Sequence, residues 1–179
     1  MKKSIVLAAF VALFAFAAAA SAQNADLSGK WSLDLSKSEL GQQAAMIKSQ
    51  TVTITQAGTS FKVSTATERN APPADANGAG GGGRPGGGGF GGGGGGGEQS
   101  YTLDGKEVST DRQTPNGTIT IKTKAEQSGN KVTITTTSPG PNGDMVSTTT
   151  YELGADKKGL TITRVNPRGT TKSVYTKAP

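Results

Sequence analysis

Two arginines, Arg112 and Arg164, stand in segments that otherwise alternate apolar and small polar residues with a period of two. That period puts side chains two apart on one face of an extended strand, so Arg112 shares a face with Val108 and Arg164 with Ile162. Pairing between neighbouring segments carries the same face to Thr110, Thr123, Thr149, Tyr151 and Tyr175. A packed interior does not accept an unpaired guanidinium. Such a side chain either lies at a strand end and snorkels to solvent, or lines a wet cavity and offers bidentate donors to an anionic headgroup. Arg112, Tyr151, Arg164 and Tyr175 are therefore the candidate ligand-binding residues, with both fates open.

Catalytic chemistry is far more restricted. The 179 residues include no His and no Cys, which removes Ser-His-Asp and Cys-His nucleophiles, His or Cys zinc sites and haem ligation by those residues. The 13 acidic residues show neither an EF-hand spacing nor an evident acid/base pair. The expectation is a protein that is not an enzyme and needs no metal or cofactor. Its 19 basic residues are scattered singly, without the dense stripe that phosphate neutralisation requires, so no nucleic-acid partner is expected.

The elements that must position the arginines follow from the same period. Segments rich in Thr, Val and Ile, broken by Gly-containing turns, predict strands near 29–35, 50–57, 60–67, 98–103, 106–113, 118–127, 131–138, 144–153, 159–165 and 170–177. Residues opposite each other in an antiparallel pair share a face, so a correct turn must bring apolar sets together. A two-residue turn at Asp104-Gly105 pairs Tyr101 with Val108, and one at Asn142-Gly143 pairs Ile134 with Tyr151 and Val132 with Leu153. Gly58-Thr59 pairs Ile54 with Val63, Asn116-Gly117 sets Ile121 opposite Arg112, and Gly129-Asn130 sets Ile134 opposite Ala125. Loops at 154–159 and 166–169 pair Leu153 with Leu160, Tyr151 with Ile162, and Leu160 with Tyr175.

The fold class predicted is all-β: an antiparallel up-and-down meander of about ten strands with one apolar face, curled into a soluble barrel. Its other face carries Thr133, Thr135, Thr137, Lys122 and Lys172, too polar for an outer-membrane barrel. Residues 38–48 predict one short helix, capped by Ser38 with Glu39 in its first turn and Leu40, Ala44 and Ile47 on one side. The meander is interrupted at 70–97 by Pro72-Pro73 and a run of glycines holding only Ala79, Arg84, Pro85 and Phe90 after Asn77, a composition that predicts a long disordered loop.

At the start of the chain, Lys2 and Lys3 precede an apolar run from Ile5 to Ala20, and Ala20-Ser21-Ala22 supplies small residues at −3 and −1. Residues 1–22 are thus expected to be a cleaved signal peptide, and the run falls short of the roughly 20 apolar residues that span a bilayer. Residues 23–179 would form a single exported domain, periplasmic or extracellular and not membrane-spanning. Loss of Lys2 and Lys3 leaves 17 basic against 13 acidic residues, a mild net charge of +4.

The segment Leu27-Ser28-Gly29-Lys30-Trp31-Ser32-Leu33-Asp34-Leu35-Ser36-Lys37-Ser38 resembles the Gly-x-Trp first strand of lipocalins and fatty-acid-binding proteins. It is closer still to the opening of a group of small secreted bacterial lipocalin-like, calycin-type β-barrel proteins. Val174-Tyr175-Thr176-Lys177 is similar to the last strand of fatty-acid-binding proteins, although Ser173 stands where those proteins place a carboxylate-clamping Arg. The resemblance implies a lipocalin-like barrel with Trp31 in its floor. Taken with the inward arginines, it leads to an exported, non-catalytic protein binding a small amphipathic or anionic ligand. The alternative is a ligand-free structural or surface-interaction module of the cell envelope.

Overall fold

The computed structural model describes residues 24–70, 97–115, 117–141 and 143–179. The signal peptide expected at 1–22 lies outside the described residues, as does the glycine-rich loop except for its ends, Asn70 and Gly97.

Ten strands follow in order: β1 (Gly29–Glu39), β2 (Ile47–Ala57), β3 (Ser60–Arg69), β4 (Glu98–Thr102), β5 (Asp104–Thr114), β6 (Gly117–Ser128), β7 (Lys131–Gly140), β8 (Gly143–Leu153), β9 (Gly159–Asn166) and β10 (Gly169–Lys177). All pairings are antiparallel, in the order β4-β3-β2-β1-β10-β9-β8-β7-β6-β5. Each hairpin thus pairs with its sequence neighbour, and β1 against β10 joins the two ends of the chain. The sheet curls into an all-β barrel that is nearly closed. Its one seam lies between β4 and β5, joined by the single residue Leu103.

That seam corrects the hairpin expected at Asp104-Gly105. Tyr101 pairs with Phe61 of β3, not with Val108. Leu103 N–H donates to the Thr59 carbonyl at 2.7 Å, which holds the end of β4 against β3. Asp104 Oδ1 accepts from Lys106 N–H at 3.0 Å, and Gly105 takes a φ of +71° where the register of β5 on β6 shifts. The Asp-Gly pair therefore makes a bulge inside β5 instead of a turn. Lys106, Glu107, Asp111 and Arg112 lie along the free edge of β5, and such charges discourage pairing with other chains.

Two other hairpins differ in register by two residues. Gly140 pairs with Gly143 and Thr114 with Gly117, so the Asn-Gly glycine opens the following strand. Val132 therefore faces Tyr151, Ile134 faces Thr149, and Ile121 faces Thr110, while Arg112 faces Ile119. A shift of two preserves the face of every side chain. The pairs at Gly58, Gly129, 154–159 and 166–169 are found as expected: Ile54 with Val63, Ala125 with Ile134, Leu153 with Leu160, Tyr151 with Ile162, and Leu160 with Tyr175.

The short helix is a 3-10 turn, Gly41–Met46, rather than 38–48. Ser38 and Glu39 belong to β1, and Ser38 does not cap the helix. The Ser38 hydroxyl donates to the Asp34 carbonyl at 2.6 Å and accepts from Val174 N–H at 2.8 Å. It thereby bridges the irregularity of β1 against β10 between Asp34 and Glu39.

The core lies at one end of the barrel. Trp31, Val52, Ile54, Phe61, Val63, Val132, Tyr151, Leu153, Leu160 and Tyr175 are all buried there. Trp31 Nε1 donates to the Leu27 carbonyl at 3.2 Å, which satisfies the one polar atom of the indole. Gln127 Nε2 donates to the Ala25 carbonyl at 2.6 Å, and Gln56 Nε2 to Gln127 Oε1 at 2.7 Å. These amides tie the start of the described chain under the barrel and form a floor.

Candidate functional site

On β3, β8, β9 and β10 the inward positions change character between the floor and the opposite end, the mouth. On β3, Phe61 and Val63 give way to Thr65 and Thr67; on β8, Leu153 and Tyr151 give way to Thr149 and Ser147. On β10, Tyr175 is followed mouthward by Ser173 and Thr171, and on β9, Ile162 by Arg164. None of these mouthward residues is buried. The lumen is consequently dry and filled at the floor, polar and wet at the mouth.

Side chains close the boundary between the two zones. Phe61 and Tyr151 meet edge to face with ring centroids 5.4 Å apart. Tyr175 Oη donates to Gln50 Oε1 at 2.6 Å, and Gln50 Nε2 donates to Thr67 Oγ1 at 2.7 Å. Leu33 lies opposite Tyr175 on β1, so this chain of hydrogen bonds runs across β1 on the inner face.

Arg164, on β9, pairs with Thr149 on one side and Thr171 on the other. Its guanidinium acts on the chain's three tyrosines, Tyr101, Tyr151 and Tyr175, and reaches the Tyr151 hydroxyl as a hydrogen-bond partner. Burial pushes the Tyr101 phenol up to about 12, with the neighbouring Tyr151 adding to the rise and Arg164 opposing it. Burial likewise raises Tyr151, against the charge and hydrogen bond of Arg164. Tyr175 is raised by burial and lowered by Arg164 and by Ser173. All three phenols are thus held neutral, as hydroxyls able to donate. Among the described residues no carboxylate lies within ion-pair distance of Arg164.

Arg112 is placed elsewhere. It is half-buried on an open cavity of about 450 Å³ at the seam, lined by residues 99–101 of β4, 110–112 of β5, and Ile121 and Thr123 of β6. Ser100 and Asp111 have the outward parity while Tyr101 and Arg112 have the inward one, so the cavity is a slot through the wall. Tyr101 belongs both to this slot and to the surroundings of Arg164, which makes the two adjoin. Tyr101 Oη donates to Gln99 Oε1 at 2.8 Å.

Of the residues selected from sequence, Tyr151, Arg164 and Tyr175 come together and Arg112 lines the slot beside them. Sequence reasoning left out Tyr101, Gln99 and Gln50. Gln50 had a visible signal, because it shares parity with Val52 and Ile54. The placement of Tyr101 depends on pairing with Phe61, which the local Asp-Gly signal masked.

A second, smaller hollow of about 320 Å³ lies at the floor between Asn24, Asp26, Gln56, Gly58 and Gln127. Its amides are engaged in the floor contacts given above. Among the described residues no cluster of three or more His, Cys, Asp or Glu is placed to hold a metal ion.

No protein-family model and no curated protein matches this chain. Solved structures do. Human cRBP IV is 15% identical, with a TM-score of 0.50 over 86% of this chain and 99% of that one. A Schistosoma mansoni fatty acid binding protein in complex with arachidonic acid is 16% identical, with a TM-score of 0.48 over 86% and 96%. Apo Caenorhabditis elegans lipid binding protein 8 is 13% identical, with a TM-score of 0.49 over 84% and 94%. At such identities the likeness is one of fold.

Proposed function

We propose that this calycin-type barrel is an exported, non-catalytic binding protein for a small amphipathic or acidic ligand. The ligand enters by the mouth or the seam slot and sets its anionic group against Arg164, within reach of Tyr101, Tyr151 and Tyr175. Arg112 provides a second cation at the slot. One observation carries this reading: Arg164, exposed at the mouth, acts electrostatically on all three tyrosines and has no carboxylate within ion-pair distance among the described residues. A cation and several neutral donors around a wet space are what an anion requires, and charge-assisted hydrogen bonds are the strong ones. Export is supported by Lys2 and Lys3, the apolar run from Ile5 to Ala20, and Ala20-Ser21-Ala22. The phrase around Gly29-Lys30-Trp31, which resembles the opening of secreted bacterial lipocalin-like barrels, supports a location in the periplasm or outside the cell.

Titration of an anionic fluorescent lipid and of small organic acids into the wild type, Arg164→Met and Arg112→Met tests the reading. Loss of about 1.5–3 kcal/mol of affinity on removal of a guanidinium is expected, the range for hydrogen bonds to charged groups. The second reading is a ligand-free structural module of the envelope, favoured by the filled floor at Phe61 and Tyr151. Absence of binding for every anion at about 100 µM, near −5.5 kcal/mol, would select it.

A further inference from the structure

We infer that the ligand is a compact, hydroxyl-bearing anion, of the sugar-acid or sugar-phosphate kind, and not a long-chain lipid; this rests on the binding function proposed above. Three observations lead to it.

Among the described residues the floor of the lumen is filled and leaves no room for an acyl chain. Phe61 and Tyr151 reach each other from β3 and β8, strands separated by four others in the sheet, and so their contact crosses the interior. Trp31, Val132 and Leu160 are at most 1% exposed on the same floor, so the space beneath the ring pair is occupied.

The open part of the lumen is lined mainly by hydroxyls and carboxamides, with Val108, Ile119 and Met145 as apolar exceptions of the same parity. Its inward positions include Gln50, Thr67, Ser147, Thr149, Thr171 and Ser173. A buried methylene contributes about 0.8 kcal/mol only when it leaves water for an apolar surround. Here an acyl chain would instead strip water from hydroxyls and carboxamides and give them no partner. A ligand with its own hydroxyls replaces those waters group for group, because a hydroxyl both donates and accepts.

The inward-facing charges are positive, while Asp111, of outward parity on the same slot, accepts from Thr120 Oγ1. Arg164 and Arg112 carry the inward parity on β9 and β5, and Tyr101 connects their surroundings. The slot of about 450 Å³ is of the size of small-ligand sites, which begin near 300 Å³. Thr149 and Thr171 flank Arg164 on the neighbouring strands, so an acidic group at Arg164 has hydroxyl-bearing neighbours on both sides.

The test is an amide NMR titration of the full mature barrel with D-glucuronate, glucose 6-phosphate, glucose, dodecanoate and hexadecanoate. Expected is saturable binding of at least one sugar anion, with the largest shifts at Tyr101, Thr149 and Arg164, and glucose weaker by about tenfold or more, equivalent to 1.4 kcal/mol. The stronger of the two sugar anions tells a carboxylate source from a phosphate one. Arg164→Met abolishes the preference for the anion over glucose. Should Arg164→Met not fold, Thr149→Val removes a lumen hydroxyl beside Arg164 and is expected to weaken the sugar anions without strengthening glucose. Dodecanoate or hexadecanoate binding in the lumen as tightly as the sugar anions overturns this inference and leaves the general binding function standing. Glucose binding as tightly as glucuronate overturns the anionic half. If none of the five binds, both fall.

Discussion

The ring of Phe61 meets the ring of Tyr151 edge to face, with centroids 5.4 Å apart and planes inclined at 69°. Their strands, β3 and β8, are not neighbours, so the pair acts as a brace through the lumen that separates a filled floor from an open mouth. Phe61 is fully buried, and its truncation leaves a cavity that the barrel wall cannot collapse to fill. Phe61→Ala is expected to lower unfolding stability by about 3–5 kcal/mol, read from urea denaturation. A loss below about 1 kcal/mol, the level of a surface change, would mean that the brace does not close the floor.

The inward face of the barrel was legible because period-two alternation survives local errors. Pro115-Asn116-Gly117 and Pro141-Asn142-Gly143 each suggested an Asn-Gly turn, and in each the glycine instead opens the next strand, with φ of +114° and +112°. Each error moved the register by two, so Arg112, Tyr151 and Arg164 kept their face. Asp104-Gly105 was a different kind of miss. An Asp side chain that accepts from its own backbone two residues on, followed by a positive-φ Gly, serves a bulge as well as a hairpin. What decides between them is the distant bond from Leu103 to Thr59, which no local pattern contains. Ser38 misled for a related reason: a hydroxyl suited to a helix cap is engaged instead by Asp34 and, 136 residues away, by Val174.

Asp34 supplies a prediction in acid. Its carboxylate accepts from Ser36 Oγ at 2.6 Å and Ser36 N–H at 3.1 Å and pairs with Lys37 at 2.9 Å, which holds it at about 2. A depressed carboxyl stabilises the fold above its ordinary value of 3.8, and that stabilisation is lost as pH falls from there through about 2. The side-chain carboxyl carbon followed by NMR should titrate near 2 in the wild type. In Ser36→Ala it should titrate higher, because the largest cause of the depression is gone.

The tyrosines give the opposite behaviour in alkali. Tyr101, Tyr151 and Tyr175 are the only tyrosines, and all are raised above 10, Tyr101 to about 12. Each phenol therefore stays protonated in the fold at a pH where the unfolded chain has ionised. The stabilisation is complete below about 10 and is lost as pH rises from there toward 12. Ultraviolet phenolate absorbance at pH 10 should show less ionisation in the native protein than in denaturant, where the phenols titrate near their ordinary value of 10. Native titration near 10 for all three would mean that the phenols are in bulk solvent.

Because the absorbance signal holds no other tyrosine, it also locates Arg164. Its positive charge opposes the rise at Tyr101, Tyr151 and Tyr175 alike. Arg164→Met retains an apolar stem of similar reach and removes the charge. The phenols should then ionise at higher pH than in the wild type, with the shift largest at Tyr151, where a hydrogen bond is lost as well. Stability near pH 7 should stay within about 0.5 kcal/mol in Arg164→Met, since the guanidinium is exposed and most of the stem's apolar contact is kept. Identical phenol titrations in the wild type and Arg164→Met would place the guanidinium outside the barrel, at a strand end in solvent, and with it would go the cation on which anion binding depends.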